Sequence, residues 1–294
     1  MPRILITGAN SFIGKNFIQH SKFTSIDEVC LVKNSPANID FSKYDVVLHL
    51  AAIVHQSKKI AKETYFSINR DLPVEVAKQA KAKGVQQFIF LSSIKVYGEY
   101  PKSGIAFTET SPCFPNDAYG KSKLAAEKEL LALNSPEFVV SIIRPPLIYG
   151  PGVKANMKNI VRLVDKFPVL PLGKIENKRS MCSVQNLIQL IDCVADRKKS
   201  GVFLASDKQP ISTTDLCRII AKHLNKNCLL LSLPTFLRQL LKHMSPGHFE
   251  RLFGSLEVNN NFTQEELDFD PQLSTDQGIE KMVEHYLVQK RNRI

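Results

Sequence analysis

The chain of 294 residues is 44% hydrophobic, enough to bury one large domain or two coupled ones, which argues against a disordered or fibrous protein. Its 39 Lys and Arg exceed its 28 Asp and Glu, and a net charge of +11 favours anionic partners such as phosphates, nucleic acid or an acidic membrane surface. Because the basic residues are spread along the chain without an Arg-rich tract or aromatic platform, nucleic acid is not an expected partner.

Cysteine usage and apolar runs indicate a cytoplasmic protein. The six cysteines lie far apart without a C-x-x-C pair, which is typical of reduced thiols. The apolar stretch from Met1 to Ile13 is interrupted too early for a signal peptide, and no apolar run approaches the roughly 20 residues needed to span a bilayer. Segment 228–241 is hydrophobic enough for weak peripheral membrane contact, but burial against the rest of the protein is favoured.

Strand-like and helix-like segments alternate in the first half, the pattern of a parallel sheet covered by helices. We predict a Rossmann-type α/β fold with a smaller mixed C-terminal domain. Residues 1–155 and 178–207 would bind a dinucleotide, and residues 156–177 and 208–294 a substrate. Only twelve residues, Lys33 to Tyr44, join the second and third strands, so the usual crossover helix should be missing. The predicted strands are 3–7, 28–32, 45–50, 87–92, 138–143 and 202–205, and the predicted helices are 14–22, 67–83, 119–133 and 187–195.

A glycine-rich turn, TGANSFIG at residues 7–14, follows the first strand and opens a helix. In that context backbone N–H groups and the helix N-terminus bind a pyrophosphate. Gly8 permits a tight turn and Gly14 close helix packing. Ser11 occupies the position where the pattern has its middle glycine, so an ordinary strand-to-helix turn remains an equal alternative on this motif alone.

The end of the second strand indicates which cofactor is used, because an acidic residue there binds a ribose 2′-hydroxyl and a basic one a 2′-phosphate. Val32 is followed by Lys33 and Asn34. This weakly favours NADP(H) over NAD(H), with a solvated surface lysine as the equal alternative. Asp40 could contact the adenine edge.

Tyr119 and Lys123 stand four residues apart at the start of a predicted helix, on one face. A tyrosine has a pKa of about 10, so proton exchange near neutrality needs a cation close to its phenolate. The spacing alone occurs by chance in many helices. Ser93, however, ends a predicted strand at the carboxyl edge of the sheet, where ligands of α/β folds bind, and could hydrogen-bond the same substrate oxygen.

Together with Asn69, these residues resemble the Ser, Tyr, Lys and Asn set of the extended short-chain dehydrogenase/reductase family. Further matching motifs are HLAA at 49–52, SINRDLP around Asn69, SSIKVYG, FTETSPCFPNDAYGKSK and RPPLIYGPG at 144–152. They occur in the family's order and cover nearly the whole chain. The resemblance is greatest to the nucleotide-sugar 4-epimerase and 4-reductase branch, particularly bacterial enzymes that reduce UDP-4-keto-6-deoxy-N-acetylhexosamines for capsule or O-antigen assembly.

The resemblance implies a UDP-sugar substrate, a homodimer and a set of site residues. Ser93, Tyr119 and Lys123 would be catalytic, Ser93 also touching the substrate. Asn156, Arg179 and Arg251 would bind the sugar or its diphosphate, with a plain surface residue as the rival in each case. The implied cofactor-binding residues are Gly8, Asn10, Ser11, Phe12, Ile13, Gly14, Lys33, Asp40, Leu50, Ala51, Ala52, Asn69, Tyr119, Lys123 and Pro146.

The residues after Ser93 bear on the reaction. In the family's 4,6-dehydratases the corresponding hydroxyl residue is followed by Asp-Glu, whereas here Ile94 and Lys95 follow, which disfavours dehydration. We expect NAD(P)H-dependent reduction of the C4 keto group of a UDP-2-acetamido-2,6-dideoxy-4-hexulose, giving UDP-N-acetylfucosamine or UDP-N-acetylquinovosamine. The alternatives are a UDP-hexose or UDP-N-acetylhexosamine 4-epimerase and, behind it, a non-catalytic nucleotide-binding protein.

Three other titratable residues are expected to have structural and not catalytic roles. His49 is read as a satisfied core histidine, Glu109 as a loop residue and Glu127 as a residue on a helix face. The histidines show no metal-ligand spacing with cysteines or carboxylates, so no metal site is predicted.

Overall fold

Strands and helices alternate along the first 204 residues of the computed structural model, which describes residues 1–8, 10–54, 60–99 and 105–292. Ala9 of the glycine-rich turn lies outside these ranges. In chain order the elements of this part are β1 (Ile4–Thr7), α1 (Phe12–His20), β2 (Ile26–Val29), β3 (Val46–His49), α2 (Lys62–Phe66), α3 (Leu72–Ala82), β4 (Gln87–Leu91), α4 (Ala118–Leu131), β5 (Val139–Arg144), β6 (Leu147–Tyr149), α5 (Ala155–Lys166), β7 (Val169–Gly173), β8 (Met181–Ser183), α6 (Val184–Arg197) and β9 (Gly201–Leu204). The remainder forms α7 (Thr213–His223), β10 (Leu229–Ser232), α8 (Thr235–Met244), α9 (Pro246–Phe253), α10 (Asn261–Leu267) and α11 (Thr275–Arg291).

Six parallel strands form the main sheet in the order β2-β1-β3-β4-β5-β9. The predicted Rossmann-type α/β fold is therefore confirmed. The connection from β2 to β3 holds two short 3₁₀ helices, Pro36–Asn38 and Phe41–Lys43, in place of a crossover α-helix, also as predicted.

Helices cover both faces of the sheet, which is why its central strands are continuous apolar runs. Every residue of β1, β3 and β4 is buried. Alternate side chains point to opposite faces: Ile6 and Leu48 pack with Leu187 of α6, whereas Val47 and Phe88 belong to the cluster that α3 and α4 complete. This places the carboxyl ends of the strands at one common edge.

The second strand is displaced from its predicted position. It covers Ile26–Val29, each residue pairing with one residue of β1, and the prediction of 28–32 was wrong at its end. The Cys30 carbonyl accepts the N–H groups of Lys33 and Asn34 at 3.1 Å, and the Val32 side chain is 96% exposed. The apolar run that suggested a strand is thus partly a turn.

A second hydrophobic core lies in the C-terminal part of the chain. It joins residues of α5, α7 and α11, among them Met157, Leu216, Ile220 and Ile279. Two smaller parallel pairs, β7 with β10 and β6 with β8, border this region. The residue boundaries of the dinucleotide-binding and substrate domains stay a prediction.

The expected burial of segment 228–241 was wrong for most of its length. Leu230 packs against the second core, but Leu229 and Leu231 are exposed by 59% and 49%. Helix α8, which begins in this segment, contains no buried residue. Among the described residues, no helix combines the length and apolarity that crossing a bilayer requires.

Candidate active site

The glycine-rich turn packs directly on the loop that follows β3. Gly8 has a φ of +94°, and a Cβ atom there would lie 2.8 Å from the Ala51 nitrogen, so only glycine fits this approach. The neighbouring Leu50 N–H donates to the Thr7 carbonyl at 3.0 Å. Two of the predicted cofactor segments, 8–14 and 50–52, are thereby brought together at the carboxyl edge of the sheet.

Ser11, the departure from the glycine pattern, begins helix α1. Its Oγ accepts the Gly14 N–H at 3.0 Å, which caps the helix N-terminus. The N–H groups of Phe12 and Ile13, in the first turn, have no acceptor inside the helix. Such groups bind anions. Because residue 8 is a glycine, it places no side chain in the turn. The residues fit the pyrophosphate of a dinucleotide, with Asn10 exposed beside them.

The two residues assigned to the adenosine half lie at the surface. Lys33 is exposed in the turn after β2, four residues past the strand end. Asp40 accepts a hydrogen bond from Ser42 Oγ at 2.6 Å and forms an ion pair with Lys43 at 3.2 Å. The Ser42 hydrogen bond is the main reason that the pKa of Asp40 is lowered. The carboxylate of Asp40 is therefore already partnered within its own loop.

Asn69 is fully buried on a single π-helical turn, Ser67–Asp71, between α2 and α3. Its amide exchanges hydrogen bonds with the backbone of Ile53 at 2.9 and 3.0 Å and donates to Ser122 Oγ at 3.2 Å. Asn69 thus fastens the loop after β3 to the helix that carries Tyr119 and Lys123. The π turn, which often occurs at functional sites, was not predicted.

Helix α4 begins unusually close to the Ser93 loop. Asp117 caps it by accepting the Gly120 N–H at 2.7 Å. A Cβ atom on Gly120 would lie 2.6 Å from the Lys95 carbonyl oxygen, so the absence of a side chain lets the helix start against that loop. The loop is held from its other side by the Pro145 carbonyl, which accepts the Ile94 N–H at 3.1 Å. Pro146, the next residue, is buried.

This approach places the Ser93 hydroxyl beside the Tyr119 side chain. Burial raises the pKa of Tyr119 to about 12, although the neighbouring Ser93 hydroxyl acts to lower it. Ser93 Oγ also accepts the Lys95 N–H at 3.2 Å, which orients the hydroxyl. Tyr119 is therefore a neutral phenol at physiological pH, the form that can donate a proton.

Lys123 lies one turn further along α4 and is 1% exposed. Its Nζ donates to the Leu91 carbonyl at 2.8 Å and lies 4.3 Å from the centre of the Phe90 ring. Burial lowers the pKa of Lys123 to about 7, and the charge of Glu127 opposes that shift. Lys123 thus lies at the end of β4, and its action on the Tyr119 phenolate stays a prediction.

Glu127, expected to serve a helix face, lies on α4 as the carboxylate of a buried ion pair. It is 1% exposed and accepts Arg144 Nε and Nη2 at 3.0 and 2.5 Å. Ser92 donates to the same carboxylate, and Arg144 donates to Tyr97 OH at 2.7 Å. This network links α4 to the ends of β4 and β5. The spacing of four from residues 119 and 123 indicates that Glu127 lies on the same side of α4, but it does not reveal which partners Glu127 meets.

His49 is the core histidine that was predicted. It is fully buried, and its Nε2–H donates to the Ala51 carbonyl at 3.1 Å while Nδ1 lies 2.9 Å from Thr7 Oγ1. Burial, with a smaller effect of the Lys123 charge, lowers its pKa to about 3. Glu109 accepts a hydrogen bond from Thr263 at 2.6 Å, as befits a loop residue.

Two of the three predicted substrate residues are placed at the same helix. Arg179 Nη1 donates to the Gly254 carbonyl at 2.9 Å and the Glu250 carbonyl at 3.4 Å, at the C-terminal end of α9, the helix on which Arg251 is exposed. Asn177, which sequence reasoning gave no separate role, holds this end through the Leu252 and Gly254 carbonyls. Asn156 is exposed in the first turn of α5.

Comparison with known proteins decides the family. The sequence profile described as the NAD-dependent epimerase/dehydratase family matches residues 4–204. The chain belongs to this family. A protein named UDP-glucose 4-epimerase from Vibrio cholerae is 36% identical over 325 aligned residues, covering 100% of the chain and 98% of the relative. An Escherichia coli O157:H7 protein named N-acetyl-alpha-D-glucosaminyl-diphospho-ditrans,octacis-undecaprenol 4-epimerase is 26% identical, covering 79% of the chain and 75% of the relative.

Solved structures show the same fold as this epimerase/dehydratase enzyme. RMD from Pseudomonas aeruginosa, complexed with NADPH, aligns with a TM-score of 0.76 at 19% identity over 97% of the chain and 99% of its own. UDP-glucuronic acid 4-epimerase from Bacillus cereus, in complex with NAD, aligns with a TM-score of 0.75 at 22% identity, again over 97% and 99%. Relatives of this fold thus include one solved with NADPH and one solved with NAD.

In this family member the residues after Ser93 carry no acidic pair. Ile94 is buried, and Lys95 Nζ forms an ion pair with Glu99 at 2.6 Å. Among the described residues there is also no group of three or more His, Cys, Asp or Glu side chains able to hold a metal ion.

Proposed function

We propose that the protein is a nucleotide-sugar 4-ketoreductase, which reduces the C4 keto group of a UDP-2-acetamido-2,6-dideoxy-4-hexulose to UDP-N-acetylfucosamine or UDP-N-acetylquinovosamine for surface polysaccharide synthesis. The observation that carries the proposal is the placement of Ser93 beside Tyr119, where Gly120 lets α4 start against the Ser93 loop, with buried Lys123 at the carboxyl edge of the sheet. Two hydroxyl groups that meet at one point can both reach a single substrate oxygen, as carbonyl reduction requires.

The cofactor would lie along the glycine-rich turn and the loop after β3, with its pyrophosphate on the N-terminus of α1. When bound, the nicotinamide supplies the hydride that C4 receives. Gly8, Ser11 and Gly14 shape the turn, and Leu50, Ala51 and Ala52 line the facing loop that Asn69 holds in place.

Tyr119 supplies the proton in this mechanism. As negative charge develops on the C4 oxygen, the Tyr119 phenol transfers its proton there, and the Ser93 hydroxyl donates a hydrogen bond to the same oxygen. Lys123, as a cation one helical turn away, would stabilise the resulting phenolate and hold the nicotinamide ribose. Arg179 and Arg251, brought to the same end of α9, would hold the substrate diphosphate.

A second candidate, the 4-epimerase, is favoured by the similarity to the Vibrio cholerae protein named UDP-glucose 4-epimerase. The same three residues would first oxidise C4 and then return the hydride to the other face of the sugar. In favour of reduction is the turn after β2, where exposed Lys33 could accept the 2′-phosphate of NADPH.

One assay separates the two reactions. Purified protein is given NADPH or NADH with a UDP-4-keto-6-deoxy-N-acetylhexosamine, and in parallel UDP-glucose or UDP-N-acetylglucosamine. We expect one molecule of NADPH or NADH to be oxidised for each molecule of keto sugar reduced. The loss of cofactor absorbance measures this ratio. Interconversion of the UDP-hexoses without net cofactor consumption would instead establish the epimerase.

The choice of cofactor is tested with Lys33→Asp. Replacing the exposed cation with a carboxylate should shift the ratio of kcat/KM for NADPH over NADH towards NADH by at least about tenfold, because one charge contact to a 2′-phosphate is worth roughly 1–3 kcal/mol. Lys83→Asp, at an exposed lysine after α3, is the matched control. An unchanged ratio would remove Lys33 from the cofactor site.

A further inference from the structure

Helix α8 presents an apolar face to solvent. Phe236, Leu240 and Met244, spaced four residues apart, are exposed by 67%, 52% and 72%. Leu241 beside them is exposed by 44%. At 100° per residue these side chains occupy one side of the helix, while Arg238 and Lys242 occupy the other. An exposed face of this kind requires an explanation, because surface leucines in monomeric proteins are normally scattered.

Strand β10, which precedes α8, and its partner β7 also expose apolar side chains. Leu229 of β10 and Val169 of β7 are direct partners in the parallel pair, so their side chains stand next to each other on one side. They are exposed by 59% and 47%. We call these six residues the apolar patch: Val169, Leu229, Phe236, Leu240, Leu241 and Met244.

Helix α8 is held on the protein by its polar side. Arg238 Nη2 donates to the Lys174 carbonyl at 3.2 Å, and its guanidinium lies 5.3 Å from the centre of the Phe253 ring. Phe253 in turn stacks on Phe249 of α9 at 4.5 Å. The helix is therefore fixed with its apolar face outward.

Charge identifies what the apolar patch would contact. Lys242 is exposed on α8, residues 224–249 contain no Asp or Glu, and the chain has a net charge of +11. A second copy on this patch would bring the two Lys242 side chains together without a carboxylate in residues 224–249 to pair with them. An anionic lipid surface offers both an apolar layer and the opposite charge.

We propose that the apolar patch docks the protein on the surface of a membrane containing anionic phospholipid. Helix α8 lies in the plane of the headgroups, with Phe236, Leu240 and Met244 directed towards the acyl chains and Lys242 at headgroup level. This goes beyond the proposed reaction and does not depend on it.

The test is co-sedimentation of the full chain with vesicles of phosphatidylcholine alone or mixed with phosphatidylglycerol. We expect binding to the mixed vesicles and not to the neutral ones. The triple variant Phe236→Ser, Leu240→Ser, Met244→Ser should bind at least about tenfold more weakly, since each apolar side chain adds to the buried area. The control, Phe262→Ser with Val288→Ser, changes residues exposed by 52% and 55% outside the patch and should bind like wild type.

Folding and self-association are measured on the same samples. Because all three replaced side chains are exposed, circular dichroism and Tm should match wild type. Wild-type protein that ignores anionic vesicles, or a triple variant that binds them normally, would overturn the proposal. The proposal would also be overturned if the wild-type protein were a dimer by light scattering, the triple variant a monomer, and neither bound vesicles. The apolar patch would then join two copies of the chain.

Discussion

Lys123 combines a positive charge with almost complete removal from water. Its Nζ donates a hydrogen bond to the Leu91 carbonyl, and burial lowers its pKa to about 7. The pKa of Lys123 in the folded protein is therefore lower than its unfolded value of 10.5. Below about pH 7 Lys123 is charged in the folded protein, and its buried charge destabilises the fold. Between about pH 7 and 10.5 the unfolded chain binds more protons, so this contribution to stability rises with pH.

Lys123→Met should therefore stabilise the protein while abolishing turnover. Methionine fills a similar volume without the buried charge, and Glu127 keeps its partner Arg144. We expect the free energy of unfolding to rise by about 1–4 kcal/mol at pH 6, and the gain to shrink as the pH approaches 10. Thermal unfolding at several pH values measures this.

The matched control for that substitution is Lys121→Met, two residues earlier on the same helix at an exposed position. It should leave the free energy of unfolding within about 0.5 kcal/mol of wild type at every pH. A Lys123→Met protein less stable than wild type at pH 6 would show that the ammonium stabilises the fold instead.

At the scale of elements, the contact between α4 and the Ser93 loop positions the reactive groups. Gly120 permits it, because a Cβ atom there would meet the Lys95 carbonyl. The sequence shows Gly120 only as the residue inside Y-x-x-x-K, and nothing in the local pattern reveals which backbone it approaches. Close approaches between distant segments are tertiary facts that periodicity does not encode.

Gly120→Ala should separate α4 from the Ser93 loop. Crowding of this kind costs about 1–3 kcal/mol, partly offset by the higher helix propensity of alanine. A shift of about 1 Å between Tyr119 and Ser93 would lower kcat by roughly 100-fold with little change in cofactor affinity. Steady-state kinetics and cofactor titration check both.

Gly247→Ala is the control, since Gly247 also lies in a helix but has no atom within 4 Å of an added Cβ. It should leave kcat unchanged. Full activity in Gly120→Ala would mean that the contact with Lys95 does not set the geometry of the site.

The elements that the sequence predicted best are those buried on both faces. Strands β1, β3 and β4 are continuous apolar runs, and each was located within two residues of its observed ends. Strand β2 was displaced because an edge strand is specified by pairing with β1 more than by its own hydrophobicity. Helices α8 and α9 were missed because an exposed apolar helix has the composition of a buried segment.

At the scale of the molecule, the candidate site is assembled from segments far apart in sequence. The Glu127 and Arg144 ion pair, with Ser92 and Tyr97, fixes α4 against the ends of β4 and β5. The sequence identified the residues at the reacting centre through their motifs. It could not identify this buried support, because which partners a charged residue meets depends on how the helices lie on the sheet.

Tyr119→Phe tests whether this assembly works as proposed. The change removes only the hydroxyl group, so NADPH affinity, measured by fluorescence titration, should stay within about twofold of wild type. Turnover of the UDP-4-keto sugar should fall by about 10²–10⁴-fold, because a general acid usually contributes that much to the rate. Near-normal turnover in the Tyr119→Phe protein would contradict the assignment of Tyr119 as the proton donor.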